Sequence, residues 1–246
     1  MENQFDPRVT GANAASVGVP RAARDVGLRS YMLSVYNYMA SGVLLTAIVA
    51  LLFAPYAGQT LISQSGRGLS GLGWIVTLAP LGFVFALSMG VNRMQAATVK
   101  ALFFAFAAVM GLSMSTLFLA YTGVSIAQTF FAVTAAFLGL SVYGYTTKKD
   151  LSGFGTFLIM GVVGIIVALV INMFLRSPAM QLAISAIGVL LFAGLTAYDT
   201  QKIKSMYYQV QGSEMVAKSA VMGALKLYLD FINMFQFMLS FMGNRR

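Results

Sequence analysis

The chain has 246 residues, 59% hydrophobic and 9% charged, and its 16 Lys and Arg against 7 Asp and Glu leave a net charge of +9. Ordinary soluble domains carry about 25% charged residues, so this composition, with a mean hydropathy of +0.80, excludes a soluble globular protein and requires a polytopic membrane one. Cys and His are both absent, which excludes disulfides, thiol chemistry, iron–sulfur clusters and His-ligated haem or zinc.

Residues 1–29 are rich in Gly, Ala, Asn, Pro and charge and contain no apolar stretch of signal-peptide type. They are expected to form a disordered, uncleaved cytoplasmic tail ahead of one membrane domain over residues 30–246. A helix needs about 20 residues to cross about 30 Å of hydrocarbon. Seven apolar runs are long enough: about Tyr31 to Tyr56, Leu72 to Val91, Ala101 to Tyr121, Val124 to Tyr145, Phe154 to Leu175, Ala179 to Tyr198 and Ala220 to Met242. The expected fold class is therefore all-α integral membrane with seven transmembrane helices, the first of them the insertion signal.

The cations are scattered among the connections rather than set in a stripe with aromatics, which argues against nucleic acid and for positive-inside topology. One side would hold Arg8, Arg21, Arg24, Arg29, Arg93, Lys100, Lys148, Lys149, Lys202, Lys204 and Lys218; the other only Arg67, Arg176, Arg245 and Arg246. That imbalance predicts a cytoplasmic N-terminus and, after seven crossings, an external C-terminus.

Along the chain, Pro80 falls inside the second run, where it removes a backbone hydrogen bond and is expected to kink the helix. Gly139 and Ser141 in the fourth run and Gly161 and Gly164 in the fifth read as packing residues that permit close helix contacts. The turn from Tyr145 to Gly153 combines Lys148 and Lys149, as a cytoplasmic anchor, with Asp150 or Ser152 as the cap of the next helix. No phosphate-binding loop occurs, and no internal repeat supports a transporter of inverted halves.

No acid occurs between Asp25 and Asp150, and only Asp199 and Asp230 lie in or against apolar runs. An ionisable group inside a bilayer costs at least roughly 2.5 to 3.5 kcal/mol, so two on consecutive segments call for a reason. Asp199 is expected near the cytoplasmic face, and Asp230 about 15 Å beyond the start of the seventh helix. The two meet only if the sixth helix continues past Lys202 or the seventh begins late. If they meet, both cannot easily be ionised, and a shared proton makes the pair a pH switch whose oxygens also suit a hard cation such as calcium. Otherwise Asp199 is an interfacial residue balanced by Lys202, and Asp230 is neutralised by Lys226 one turn away.

Three stretches, Tyr198 to Lys204, Leu225 to Phe235 with its Leu-Tyr-Leu-Asp-Phe-Ile-Asn run, and Thr147 to Ser152, resemble the Bax inhibitor-1 family, here its bacterial YccA-like branch. The resemblance spans about Arg29 to Met242. It implies a pH-sensitive calcium leak channel with the seventh helix at the centre, gated by an aspartate pair that maps onto Asp199 and Asp230, where calcium would bind transiently. It implies Arg93 as the arginine that partners the pair. Lys226 is a departure, standing where relatives carry a small polar residue, and its charge is expected to modulate cation passage. The resemblance also implies a second reading, a non-enzymatic regulator of a membrane AAA protease. An intramembrane aspartyl protease fits poorly, because the Gly-x-Gly-Asp and Pro-Ala-Leu signatures are missing; no enzyme and no resident cofactor is expected. The lack of a long charged C-terminal tail favours a bacterial inner membrane.

Overall fold

A computed structural model describes residues 21–63 and 68–245. Its helices are α1 (Arg21–Thr60), α2 (Gly71–Gly90), α3 (Ala96–Met114), the single turn α4 (Leu117–Ala120), α5 (Gly123–Thr146), α6 (Ser152–Leu175), α7 (Pro178–Val210) and α8 (Met215–Met242). Each predicted apolar run falls on one long helix, with α3 and α4 sharing the third. Polar residues mark the starts: Ser70, Thr122 and Ser177 accept the amides of Gly73, Ser125 and Met180, and Pro178 opens α7 where a missing amide costs nothing. Pro80 sits buried within an uninterrupted α2.

Two boundaries differ from the sequence expectation. Residues 21–29, assigned to the disordered tail, are the first turns of α1, while residues 1–20 lie outside the described residues. The sixth apolar run does not stop at Tyr198 but continues as helix to Val210. One contact explains both extensions. Tyr31 of α1 and Tyr207 of α7 are buried against each other with ring centroids 5.4 Å apart, so each polar overhang gains a packing partner that hydropathy cannot reveal.

Six segments are long and apolar enough to cross a membrane: 25–60, 71–90, 96–120, 123–146, 152–175 and 178–210. The bundle is a multi-pass membrane protein with α6 on its outside, where Phe157, Met160 and Phe174 are exposed, a surface suited to hydrocarbon. The remaining long helix, α8, carries Lys218, Lys226 and Asp230 and is the most enclosed. It packs against α1, α3, α5 and α7, burying Ala224, Leu227, Tyr228, Phe231 and Leu239 among others.

Contacts assign the connections to two ends. At one, α1 begins beside the end of α7, and Lys149 and Leu151 of the α5–α6 turn bond Gln201 of α7. At the other, Tyr121 pairs with Arg245, whose guanidinium carbon lies 5.9 Å from the Tyr121 ring centre, and Gln181 near the start of α7 bonds Ser240 near the end of α8.

Glycine sets the helix spacing where α7 meets its outer neighbours. A Cβ at Gly144 of α5 would collide with the Ala197 carbonyl, and one at Gly155 of α6 with the Tyr198 ring. Gly161 likewise admits Leu191, whereas Gly139 and Gly164 face open space, so only part of the expected packing set is in tight contact. Gly144→Val should therefore destabilise the bundle by about 1–3 kcal/mol, lowering its melting temperature in detergent by several degrees, while Gly139→Ala should not lower it. Indistinguishable melts would mean that α5 does not approach α7 this closely.

Candidate functional site

The α7–α8 pair is antiparallel, with Ile203 against Gly223 near one end and Gly188 against Phe237 near the other. In that register Asp199 and Asp230 are offset by about one helical turn, about 5 Å along the axis. The continuation of α7 to Val210, the condition on which the meeting depended, is what lets Asp199 project from a packed helix rather than a loop.

Asp230 is 4% exposed, and its Oδ2 has no hydrogen-bond partner among the described residues. Asp230 also lies within the electrostatic field of Asp199. Asp199, half-buried, and Lys226 are the charged groups that act on Asp230; Lys226, then Lys202, act on Asp199. The site is a cluster of two carboxylates with one ammonium between them in electrostatic effect. Thr200, adjacent to Asp199, adds a second buried polar atom, Oγ1, without a partner among the described residues.

Arg93 does not join them. It is exposed in the turn between α2 and α3, and α2 packs on α3 at the edge of the bundle rather than on α8. Lys226, part-buried on α8 itself, stands where a counter-charge was expected from Arg93.

The supports of the cluster join residues far apart in sequence. Beyond Asp199, the Gln201 side chain accepts the Leu151 amide at 2.9 Å and donates to the Lys149 carbonyl at 2.8 Å, pinning the α5–α6 turn to α7. Lys204 donates to the Tyr145 carbonyl at 2.7 Å and lies 4.7 Å from that ring's centre. Lys202 Nζ bonds the Tyr198 hydroxyl at 3.2 Å. Within the turn, Asp150 Oδ1 accepts the Ser152 amide at 2.9 Å. Hydrogen bonding from Ser152, hydroxyl first and amide second, holds this exposed carboxyl below its usual 3.8.

On the other side of the cluster, the Tyr228 hydroxyl meets Thr46 Oγ1 at 2.6 Å, and Thr46 donates to the Ala107 carbonyl at 2.8 Å. The Tyr228 ring stands edge-on to Phe103 and Phe106, with centroids 6.1 and 5.2 Å away. Three helices, α1, α3 and α8, are locked two residues from Asp230. Neither Thr46 nor Gln201 was identifiable from sequence. A lone Thr in an apolar run and a Gln in a polar one carry no signal until their partners are known.

Chemically, two carboxylates in a dry site do not readily hold two negative charges. They also fall short of a calcium cage, which takes six to eight oxygens; no group of three Asp, Glu, His or Cys side chains converges among the described residues. The arrangement suits exchange of a proton.

A family model described as "Inhibitor of apoptosis-promoting Bax1" matches residues 28–246. An uncharacterised protein of Rickettsia prowazekii, RP147, is 46% identical over 223 residues, covering 90% of this chain and 92% of its own. A Caulobacter vibrioides protein is 44% identical over 241 residues, 95% and 96% of the two chains. The inner membrane protein YbhL of Escherichia coli is 43% identical over 234 residues, 94% of this chain and 97% of YbhL.

Tyr228→Phe should cost about 1 kcal/mol, since Thr46 keeps its bond to Ala107. Thr46→Val strands a buried hydroxyl and should cost more, about 1–3 kcal/mol. Unfolding of both variants in detergent checks the order; two negligible losses would remove the three-helix lock.

Proposed function

The chain belongs to the Bax inhibitor-1 family, and from that premise we propose that it is a pH-sensitive calcium or cation leak of the bacterial inner membrane, gated by Asp199 and Asp230. The observation that carries this reading is the enclosed cluster of Asp199, Lys226 and the unpartnered Asp230 Oδ2 on the most buried helix. An isolated acid at such a place costs several kcal/mol unless its charge is managed.

In the closed state the pair carries one negative charge, matched by Lys226. A rise in pH removes the remaining proton, and the second charge is unmatched in a low-dielectric site. Repulsion between α7 and α8 then opens the end at which Asp199 lies, and the freed oxygens attract a hard cation from the cytoplasmic side. Lys226 opposes that cation, so it limits passage while stabilising the closed state. In this reading α8 is the seventh span, the N-terminus is cytoplasmic and the C-terminus external. The lysine-rich ends of α5 and α7 face the cytoplasm, and the protein is not an enzyme.

Flux of calcium into liposomes containing the purified protein, measured across a pH series, tests the gate. The wild type should conduct faster as pH rises. Asp199→Asn and Asp230→Asn should each flatten that dependence rather than scale it, and Lys226→Ser should increase flux. If both Asn variants keep the wild-type pH profile, the aspartate switch is wrong and regulation of a membrane protease becomes the better reading.

Reporter fusions check the orientation. A C-terminal periplasmic reporter should be active, and a cytoplasmic C-terminus would invert or shorten the proposed topology.

A further inference from the structure

α1 and α5 both pack on α8 without forming a main helix pair of their own, and two cavities lie along the seam this leaves. One, of about 490 Å³, is bounded by Arg29 and Tyr36 of α1 and by Ser141 and Tyr145 of α5. The other, of about 270 Å³, lies further along the same two helices, where Phe231 and Phe235 of α8 contribute to its wall. Both are lined chiefly by apolar side chains.

Three observations identify what fills them. Arg29 is exposed at the mouth of the first cavity with no anionic partner among the described residues, and a guanidinium is the side chain best shaped to hold a phosphate. Ser141, only 3% exposed, lines the same cavity with a hydroxyl that has no hydrogen-bond partner among the described residues. A buried hydroxyl left unpaired beside a cavity marks a site for an acceptor brought by a ligand. The third is length: along α1, Arg29 to Val43 is about 21 Å, which is half of the 40–45 Å that a bilayer spans with its headgroups, and Val43 lines the second cavity. A molecule with an anionic head at Arg29 and an apolar tail at Val43 has the length of one phospholipid. Tyr145 lines the same cavity, and Lys204, 4.7 Å from its ring centre, adds a second positive charge nearby.

We propose that the α1–α5 seam binds one anionic phospholipid, its phosphate at Arg29 and its acyl chain in the cavity walled by Phe231 and Phe235. A second copy of this chain is disfavoured as the occupant, because it would leave the Arg29 charge and the Ser141 hydroxyl unanswered. Phe231 directly follows Asp230, so a molecule in the seam touches the helix that carries the buried acid. Binding itself does not depend on the leak reading and is tested without any flux measurement.

Native mass spectrometry of the full chain, with phosphatidylglycerol or phosphatidylcholine added to the detergent, reads the site directly. The wild type should retain phosphatidylglycerol severalfold over phosphatidylcholine. Arg29→Gln should bring that preference close to one, while Lys148→Gln, an exposed cation at the same end but off the seam, should leave it unchanged. Ala47→Phe with Ala127→Phe, both lining the second cavity, should reduce retention of both lipids severalfold. Arg29 is exposed, so the headgroup comparison stands even where the filled variant fails to fold. Wild-type selectivity in Arg29→Gln would overturn the proposal. So would undiminished retention in a folded, filled variant, and a shift of that variant between monomer and dimer would then make the seam an interface between copies.

Discussion

Asp230 is a carboxyl group with almost no access to solvent on a helix that also carries two lysines, and the cost of placing such a helix in hydrocarbon governs the arrangement around it. α8 is not apolar enough to face lipid on all sides. It is stable inside the membrane because α1, α3, α5 and α7 take that place, leaving the most lipid-like helices, α2 and α6, at the periphery. The two helices left outermost are thus the most apolar of the bundle.

That enclosure depends on close approach. Van der Waals contact, not hydrophobic expulsion, holds helices together in lipid, and the contact is closest where a side chain is missing. Gly144 and Gly155 bring α5 and α6 against Ala197 and Tyr198, immediately before Asp199 in α7. Gly223 does the same for α8 against Ile203. Asp199 is positioned by three glycines on three helices as much as by its own hydrogen-bonding surroundings.

The two ends of the bundle are secured differently. At the end where α7 meets the α5–α6 turn, lysines reach to carbonyls and rings, with Gln201 as the clamp. At the opposite end, Asn172, Gln181, Ser185 and Ser240 form a neutral network across α6, α7 and α8. The first end is thus held by lysines and one amide bonded to backbone and rings, the second by side chains bonded to one another.

The number of long helices, their approximate limits and the presence of two aspartates within them were legible in the sequence, because each rests on local quantities: the length of an apolar run, and the cost of one charge within it. The overhangs of α1 before residue 30 and of α7 after Tyr198 were not, since polar residues join a helix there only because Tyr31 and Tyr207 bury one another. Tertiary structure alone decided that Arg93 sits in an exposed turn beside α3, whereas Lys226 was already readable one turn before Asp230. Which charge reaches another is set by which helices touch, and α2 touches the outside of α3. It also decided that Thr46, Gln201 and the α1–α5 seam have roles at all. Each role needs a partner contributed by another helix, from 50 to 182 residues away for the two hydrogen-bonding side chains, and pairing at such separations leaves no trace in the periodicity of either segment.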